Sequence, residues 1–175
     1  STDLEMVATL NHTWGYKKND HAWKGKKEIL CSLIEAVNRN INYMINIGPR
    51  ADGLVPQPSV DVLSFIGNWL RANSEAIYGA TGNPFNDNFP WGYVTQKKNN
   101  LYLHLVRQPY KNQIVLKGLQ SIISSAEVLS SGQELVVSNN KISVPEGLDY
   151  ECVPVFKLTC RTPLNISTLN FSNEG

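Results

Sequence analysis

Residues 4 to 80 read strand, helix, strand, helix, and then the pattern stops. Leu4 to Leu10 is a short apolar run bounded by Asn11, long enough for a buried strand. In residues 25–39, Ile29, Leu30, Leu33, Ile34 and Val37 form the i, i+3, i+4, i+7 stripe of an amphipathic helix. Ile41 to Ile47 is rich in β-branched and aromatic residues and reads as a second strand. Gly48-Pro49 ends it, and Arg50 to Gly53 make a loop. Pro56 and Pro58 lead into Ser59 as the expected N-cap of a second helix, with Val62, Leu63, Ile66, Trp69 and Leu70 on one side. This alternation specifies βαβ units and a parallel sheet. Two units cannot close a barrel, which needs eight strands and about 250 residues. The segment either completes a small open sheet or is the tail of a barrel.

From Pro84 onward the pattern is different. Short apolar runs recur at residues 91–95, 101–106, 113–116, 126–129, 135–137, 142–144 and 155–160, separated by turn-prone stretches. Leu101, Leu103 and Leu105 alternate with Tyr102, His104 and Val106, which sets them on opposite faces of a strand. Short strands spaced by turns predict an antiparallel sandwich. The fold class expected is therefore α/β plus all-β. The boundary falls in the Gly-, Asn- and Pro-rich stretch 81–90, so that residues 1–82 form the first domain and 83–175 the second. The Asn- and Ser-rich tail after Thr162 is expected to fray.

Composition removes several function classes. A formal net charge of +1 provides no field for steering to nucleic acid or an anionic membrane. No run approaches the roughly 18 apolar residues of a membrane span. The five lysines of residues 17–27, with Trp23 among them, read as a solvated loop and helix start rather than a nucleic-acid site. His12, His21 and His104 have no metal spacing, and neither a metal nor a cofactor is expected. Cys31, Cys152 and Cys160 cannot all pair; Cys152 and Cys160 read as one strand, and buried free thiols are expected. Three N-x-S/T triplets, at Asn11, Asn165 and Asn170, matter only in a secreted eukaryotic protein. The chain opens without a Met or a leader-like segment, which suggests a processed product or a piece of something longer.

The stretch NHTWGY, residues 11–16, places imidazole, indole and phenol together after the first strand, a composition suited to the wall of a sugar pocket. Around it lie LEMVATLNHTWGYKKNDHAWKGKKEIL and then NYMINIGPRADGLVPQPSVDVLSFIGNWLRANSEAIYG. These resemble the end of the catalytic barrel in the glycoside hydrolase family of α-L-fucosidases. That family shows W-E-x-x then S-W-G-Y, a helix, N-x-x-x-N-I-G-P, D/E-G-x-I/V-P, and a helix ending W-L-x-x-N-G-E-A-I-Y. The resemblance covers residues 4 to 79. It departs at Leu4 (for Trp), Thr13 (for Ser) and Ser74 (for Gly).

The resemblance implies the last two units of a (β/α)8-type barrel followed by an antiparallel β-sandwich. It implies a retaining hydrolase of terminal α-L-fucose, with fucosylated glycans as partners and a secreted, periplasmic or lysosomal location. The family's aspartate nucleophile and its fucose-holding histidines have no counterpart here, so the chain reads as a C-terminal fragment whose nucleophile lies elsewhere. Glu5 is the candidate acid/base; the alternative is a pocket-lining or salt-bridged carboxylate. Trp14 is the main candidate sugar contact, since an indole buries an apolar sugar face without demanding a hydrogen bond there; the alternative is a Trp capping the barrel end. His12 and Tyr16 are further candidate contacts. Asn46 would orient catalytic groups from behind rather than touch sugar. A rival reading is a carbohydrate-binding or structural sandwich module without catalysis, for which Trp91, Tyr93 and Tyr102 would have to be exposed on one sheet face.

Overall fold

The computed structural model describes residues 4–10, 24–161 and 163–167. Its first part is β1 (Glu5–Thr9), α1 (Lys26–Asn38), β2 (Asn42–Asn46) and α2 (Gln57–Asn73). β1 and β2 pair in parallel, from Glu5 opposite Asn42 to Thr9 opposite Asn46. Both helices cover one face of this pair. Leu10, Ile29, Val62 and Ile66 make a buried cluster against which Ile45 and Ile47 pack. The apolar stripes read from the sequence are the faces buried, with Ile29, Leu30 and Ile34 on α1 and Val62, Ile66 and Trp69 on α2.

Ser59 is not the N-cap of α2. The helix starts two residues earlier, at Gln57, with Pro58 in its first turn and Pro56 before it. Proline suits this place because its fixed φ is helical and the first turn has no partner for an N–H. The expected burial of the first strand is also corrected. Only Leu10 is deeply buried; Val7 and Met44 are open to solvent because, among the described residues, no element covers the other face of the pair, and Leu4 (58% exposed) lies ahead of β1.

Seven strands follow: β3 (Gly92–Lys97), β4 (Asn100–Leu105), β5 (Gln113–Val115), β6 (Ile123–Val128), β7 (Val137–Ser138), β8 (Lys141–Ser143) and β9 (Val155–Cys160). One antiparallel sheet has the order β3-β4-β9-β6 and the other β5-β8-β7. Val94, Leu101, Leu103, Phe156 and Leu158 of the first sheet and Ile114 and Ile142 of the second share one buried core. The expected sandwich is present.

The second face of the larger sheet is covered too. Tyr102 and Val155 pack against Leu30 and Ile34 of α1 and Trp69 of α2. The molecule thus stacks helices, sheet and sheet, and Leu101 to Leu105 are buried without a break. The exposed aromatic face required by the rival module is absent: Trp91 and Tyr102 are buried, and Tyr93 is half-buried.

His104 lies in the seam between the helices and the larger sheet, completely buried and 6.1 Å from the Trp69 ring. The Thr95 hydroxyl donates to the Ala76 carbonyl at 2.7 Å and contacts His104 Nε2 at 2.9 Å. A hydroxyl has one proton, so Nε2 must donate to it, and Nδ1 is left unprotonated and without a partner. Burial pushes the imidazole pKa down to about 3. An unfolded histidine titrates near 6.5. Between those values the unfolded chain takes a proton that the folded chain refuses, so stability falls as pH drops, by up to about 1.4 kcal/mol per pH unit. Urea unfolding between pH 6.5 and 5 should show this slope, and His104→Gln should flatten it. An equal slope in the variant would refute the assignment. Nearby, burial raises the Glu75 pKa but is outweighed by hydrogen bonds from Lys157 (2.9 Å) and Tyr102 (2.8 Å), which hold the carboxyl below its ordinary value.

All three cysteines are free. Cys160 is buried as expected, but Cys152 is exposed, because it belongs to a 3₁₀ turn (Tyr150–Cys152) ahead of β9 rather than to the strand. Its thiol donates to Asp149 at 3.2 Å. Within the tail expected to fray, the described residues 163–167 are ordered. Residues 163–167 are held by an Ile166–Leu119 bridge and by the Gln120 N–H on the Asn165 carbonyl (2.9 Å), since an edge of the sandwich offers unpaired backbone groups there. Among the described residues no helix is long and apolar enough to cross a membrane.

Candidate functional site

The pleat of the β1–β2 pair sorts its residues into two sets. Tyr43, Ile45 and Ile47 face the helices; Ile45 and Ile47 join the apolar cluster, and the Tyr43 hydroxyl contacts the Ile29 carbonyl at 3.4 Å. Successive side chains alternate, and the parallel register aligns Glu5 with Asn42, Val7 with Met44 and Thr9 with Asn46. These six residues therefore share the helix-free face. It carries a polar pair at each end and an apolar pair in the middle; Glu5, Val7, Asn42 and Met44 are exposed, and Thr9 and Asn46 are half-buried.

Two of the residues singled out from sequence, Glu5 and Asn46, are brought to this one face. They are not adjacent. Glu5 opens β1 and Asn46 closes β2, about 13 Å apart along the strands at roughly 3.3 Å per residue. Glu5 is exposed, and it is the only carboxylate among the six. Thr9 and Asn42 were not picked out from the sequence. Period-two alternation assigns each to a face of its own strand, but the cross-strand register that joins them to Asn46 and Glu5 is not written in either strand alone.

Trp14, His12 and Tyr16 lie outside the described residues. Leu10 and Lys24, the described residues on either side, meet at the C-terminal end of β1 beside the Thr9–Asn46 pair, where the Lys24 N–H donates to the Leu10 carbonyl at 3.0 Å. The turn after β2 opens from the same end. It is held by the Arg50–Asp52 ion pair (3.0 Å), by the Arg50 N–H on the Leu54 carbonyl (2.8 Å) and by the Leu54 N–H on Asp52 (3.1 Å). Loops at the C-terminal ends of parallel strands are where βα folds place their sites. Among the described residues no group of His, Cys, Asp or Glu could hold a metal ion.

Comparison with known proteins shows what the chain is similar to. Residues 1–75 match the family model described as α-L-fucosidase. The α-L-fucosidase of Dictyostelium discoideum is 33% identical over 118 residues, which cover 64% of this chain and 25% of that protein. The crystal structure of α-L-fucosidase from Vibrio sp. strain EJY3 aligns with a TM-score of 0.87 and 32% identity, over 94% of this chain and 31% of that one. A GH29 α-L-fucosidase from Bacteroides thetaiotaomicron, solved as a trapped covalent intermediate, aligns with a TM-score of 0.79 and 28% identity over 91% of this chain and 38% of its own. The chain thus spans between a quarter and two fifths of these relatives. In its matched family model, its relatives and its fold, the chain is similar to a part of the α-L-fucosidases.

Proposed function

We propose that this chain is the part of an α-L-fucosidase that supplies two βα units of the catalytic barrel and the β-sandwich beside it, with the boundary in residues 81–90. The observation that carries the reading is the helix-free face of β1–β2. In a closed barrel that face is the interior, which accounts for the exposure of apolar Val7 and Met44 here. The reaction is hydrolysis of terminal α-L-fucose from glycans in a secreted, periplasmic or lysosomal setting. Glu5 is the general acid/base. Trp14 lies against the sugar with His12 and Tyr16 beside it, and Asn46 orients the groups around it.

A retaining glycosidase needs two carboxyl groups about 5 Å apart. Among the described residues Glu5 has no carboxylate companion on its face, which supports a nucleophile supplied by a strand outside this chain. The trapped covalent intermediate of the Bacteroides relative supports a double displacement. The first step then transfers fucose from the leaving-group oxygen to the nucleophile while Glu5 gives that oxygen a proton. In the second step Glu5 takes a proton from water, which displaces the enzyme carboxylate.

The direct test is an aryl α-L-fucoside assay on the purified chain. With one of the two essential carboxylates, it should release phenol no faster than buffer. Turnover that Glu5→Gln abolishes would overturn the claim that the nucleophile lies elsewhere.

A further inference from the structure

We propose that the cavity of about 260 Å³ between α1, the 83–89 loop and the β3–β4 edge is a second binding site, one that takes a single neutral sugar unit. Its polar wall is formed by Glu35 and Asn38 of α1, Asn88 of the loop, Tyr93 of β3 and Arg107 just past β4, and Phe89 provides an aromatic surface. A carboxylate acceptor, a guanidinium donor, carboxamides that do both and an aromatic ring are the groups that recognise a ring carrying hydroxyls on its edge and C–H bonds on its face. The size is just under the roughly 300–1,000 Å³ of pockets for drug-sized ligands, which fits one pyranose and excludes a long chain within it.

The charges narrow the ligand further. Arg107 alone would favour an anion, but Glu35 lines the same cavity and opposes one. Neither sign dominates, and a neutral polyhydroxylated ligand satisfies both groups. Burial and then the Glu35 carboxylate push the Tyr93 pKa up, and its hydroxyl hydrogen-bonds to Glu35, so the two side chains present a joined polar edge.

The walls are fixed before any ligand arrives. Asn38 Oδ1 accepts from the Val94 N–H at 3.1 Å, and its carbonyl accepts from the Asn83 N–H at 2.8 Å. One Arg107 guanidinium nitrogen donates to the Pro90 carbonyl at 2.7 Å. The Phe89 ring stacks on Trp91 at 4.9 Å and meets Phe85 edge-on at 5.5 Å. At Gly92, in the cavity lining, a Cβ would collide with the His104 carbonyl, so only glycine permits this closeness of the strands. Fixed walls lower the ordering cost of binding. The cavity opens on the seam between helices and sandwich, whereas Glu5 and Asn46 lie on the helix-free face; neither needs the other to bind.

Amide NMR on the full chain tests this without any turnover, so an inactive enzyme and an empty cavity give different results. L-Fucose, D-galactose and N-acetyl-D-glucosamine are titrated in turn, with glycine and inorganic phosphate as zwitterion and anion controls. At least one sugar should give saturable, millimolar shifts at the amides of residues 88, 89, 91–93 and 107. Arg107→Ala and Glu35→Gln should each weaken binding about tenfold, the loss expected for a charge-assisted hydrogen bond. Tyr93→Phe, which keeps the ring, should weaken it about fivefold and serves if the other variants lose their dispersed spectrum. The proposal is overturned if no sugar shifts these amides, if glycine or phosphate shifts them instead, or if sugar binding is unchanged in the folded variants.

Discussion

On the proposed function, Glu5→Gln in an α-L-fucosidase that includes this chain should lower kcat on a natural fucoside by roughly 10²–10⁴-fold, the usual contribution of a positioned general acid. A sugar alkoxide is a poor leaving group and needs the proton; an acidic phenol needs it far less. The same variant should therefore lose much less on a nitrophenyl fucoside in the step that forms the glycosyl-enzyme. The substitution keeps the shape of an exposed side chain, so stability should change little. Parallel kinetics on both substrates, with a thermal melt, decide the matter. If kcat on the natural fucoside is unchanged, the acid is another group, and Glu5 is only a polar residue at the start of β1. The outcome also interprets the 13 Å between Glu5 and the Thr9–Asn46 end. A large loss means that substrate reaches along the strands to Glu5. No loss means that the chemistry stays at the loop end.

Replacement of Trp69 by Ala should destabilise the chain by about 3–5 kcal/mol, the usual cost of deleting a large buried aromatic. The indole is only 6% exposed and belongs to the cluster that joins both helices to the larger sheet. Its Nε1–H donates to the Val153 carbonyl at 3.0 Å, and that carbonyl would lose its partner. A groove of about 500 Å³ lined by Phe65, Trp69 and Leu148 lies alongside. Water entering from it can hydrate the orphaned carbonyl, which places the expected value at the lower part of the range. Trp69→Phe keeps most of the apolar contact and loses the hydrogen bond, for about 1–3 kcal/mol. Urea unfolding of the three proteins should rank them in that order. A loss below about 1 kcal/mol for the alanine variant would mean that the helices and the sandwich do not depend on each other as their shared cluster indicates.

The elements were legible because their signals are local. The helical stripe from Ile29 to Val37 and the alternation from Leu101 to Val106 each need only a few consecutive residues, and both elements formed where expected. The start of α2 was misplaced because two signals competed there. Ser59 is a good cap by type, but Pro56 and Pro58 fit a helix that begins earlier, and the fixed proline φ prevailed. Cys152 was placed in a strand because its neighbours are apolar; Val153, with φ at 43°, breaks the extended chain before β9 can begin.

The candidate site divides in the same way. Glu5 and Asn46 stood out as polar residues in apolar strands, a signal carried by each strand alone. That they share a face with Thr9 and Asn42 depends on a parallel register between strands more than thirty residues apart, and no local pattern encodes it. The cavity at Tyr93 and Arg107 was invisible for the same reason, since its walls come from a helix, a loop and two strand ends. From the sequence alone come the order and type of the elements, the change from βα units to antiparallel strands, and the family resemblance, because periodicity and motif spacing are properties of contiguous chain. The tertiary structure decides which faces are covered. His104 and Tyr102 sit on the face of β4 opposite Leu101, Leu103 and Leu105, and they are buried because two helices distant in sequence pack there.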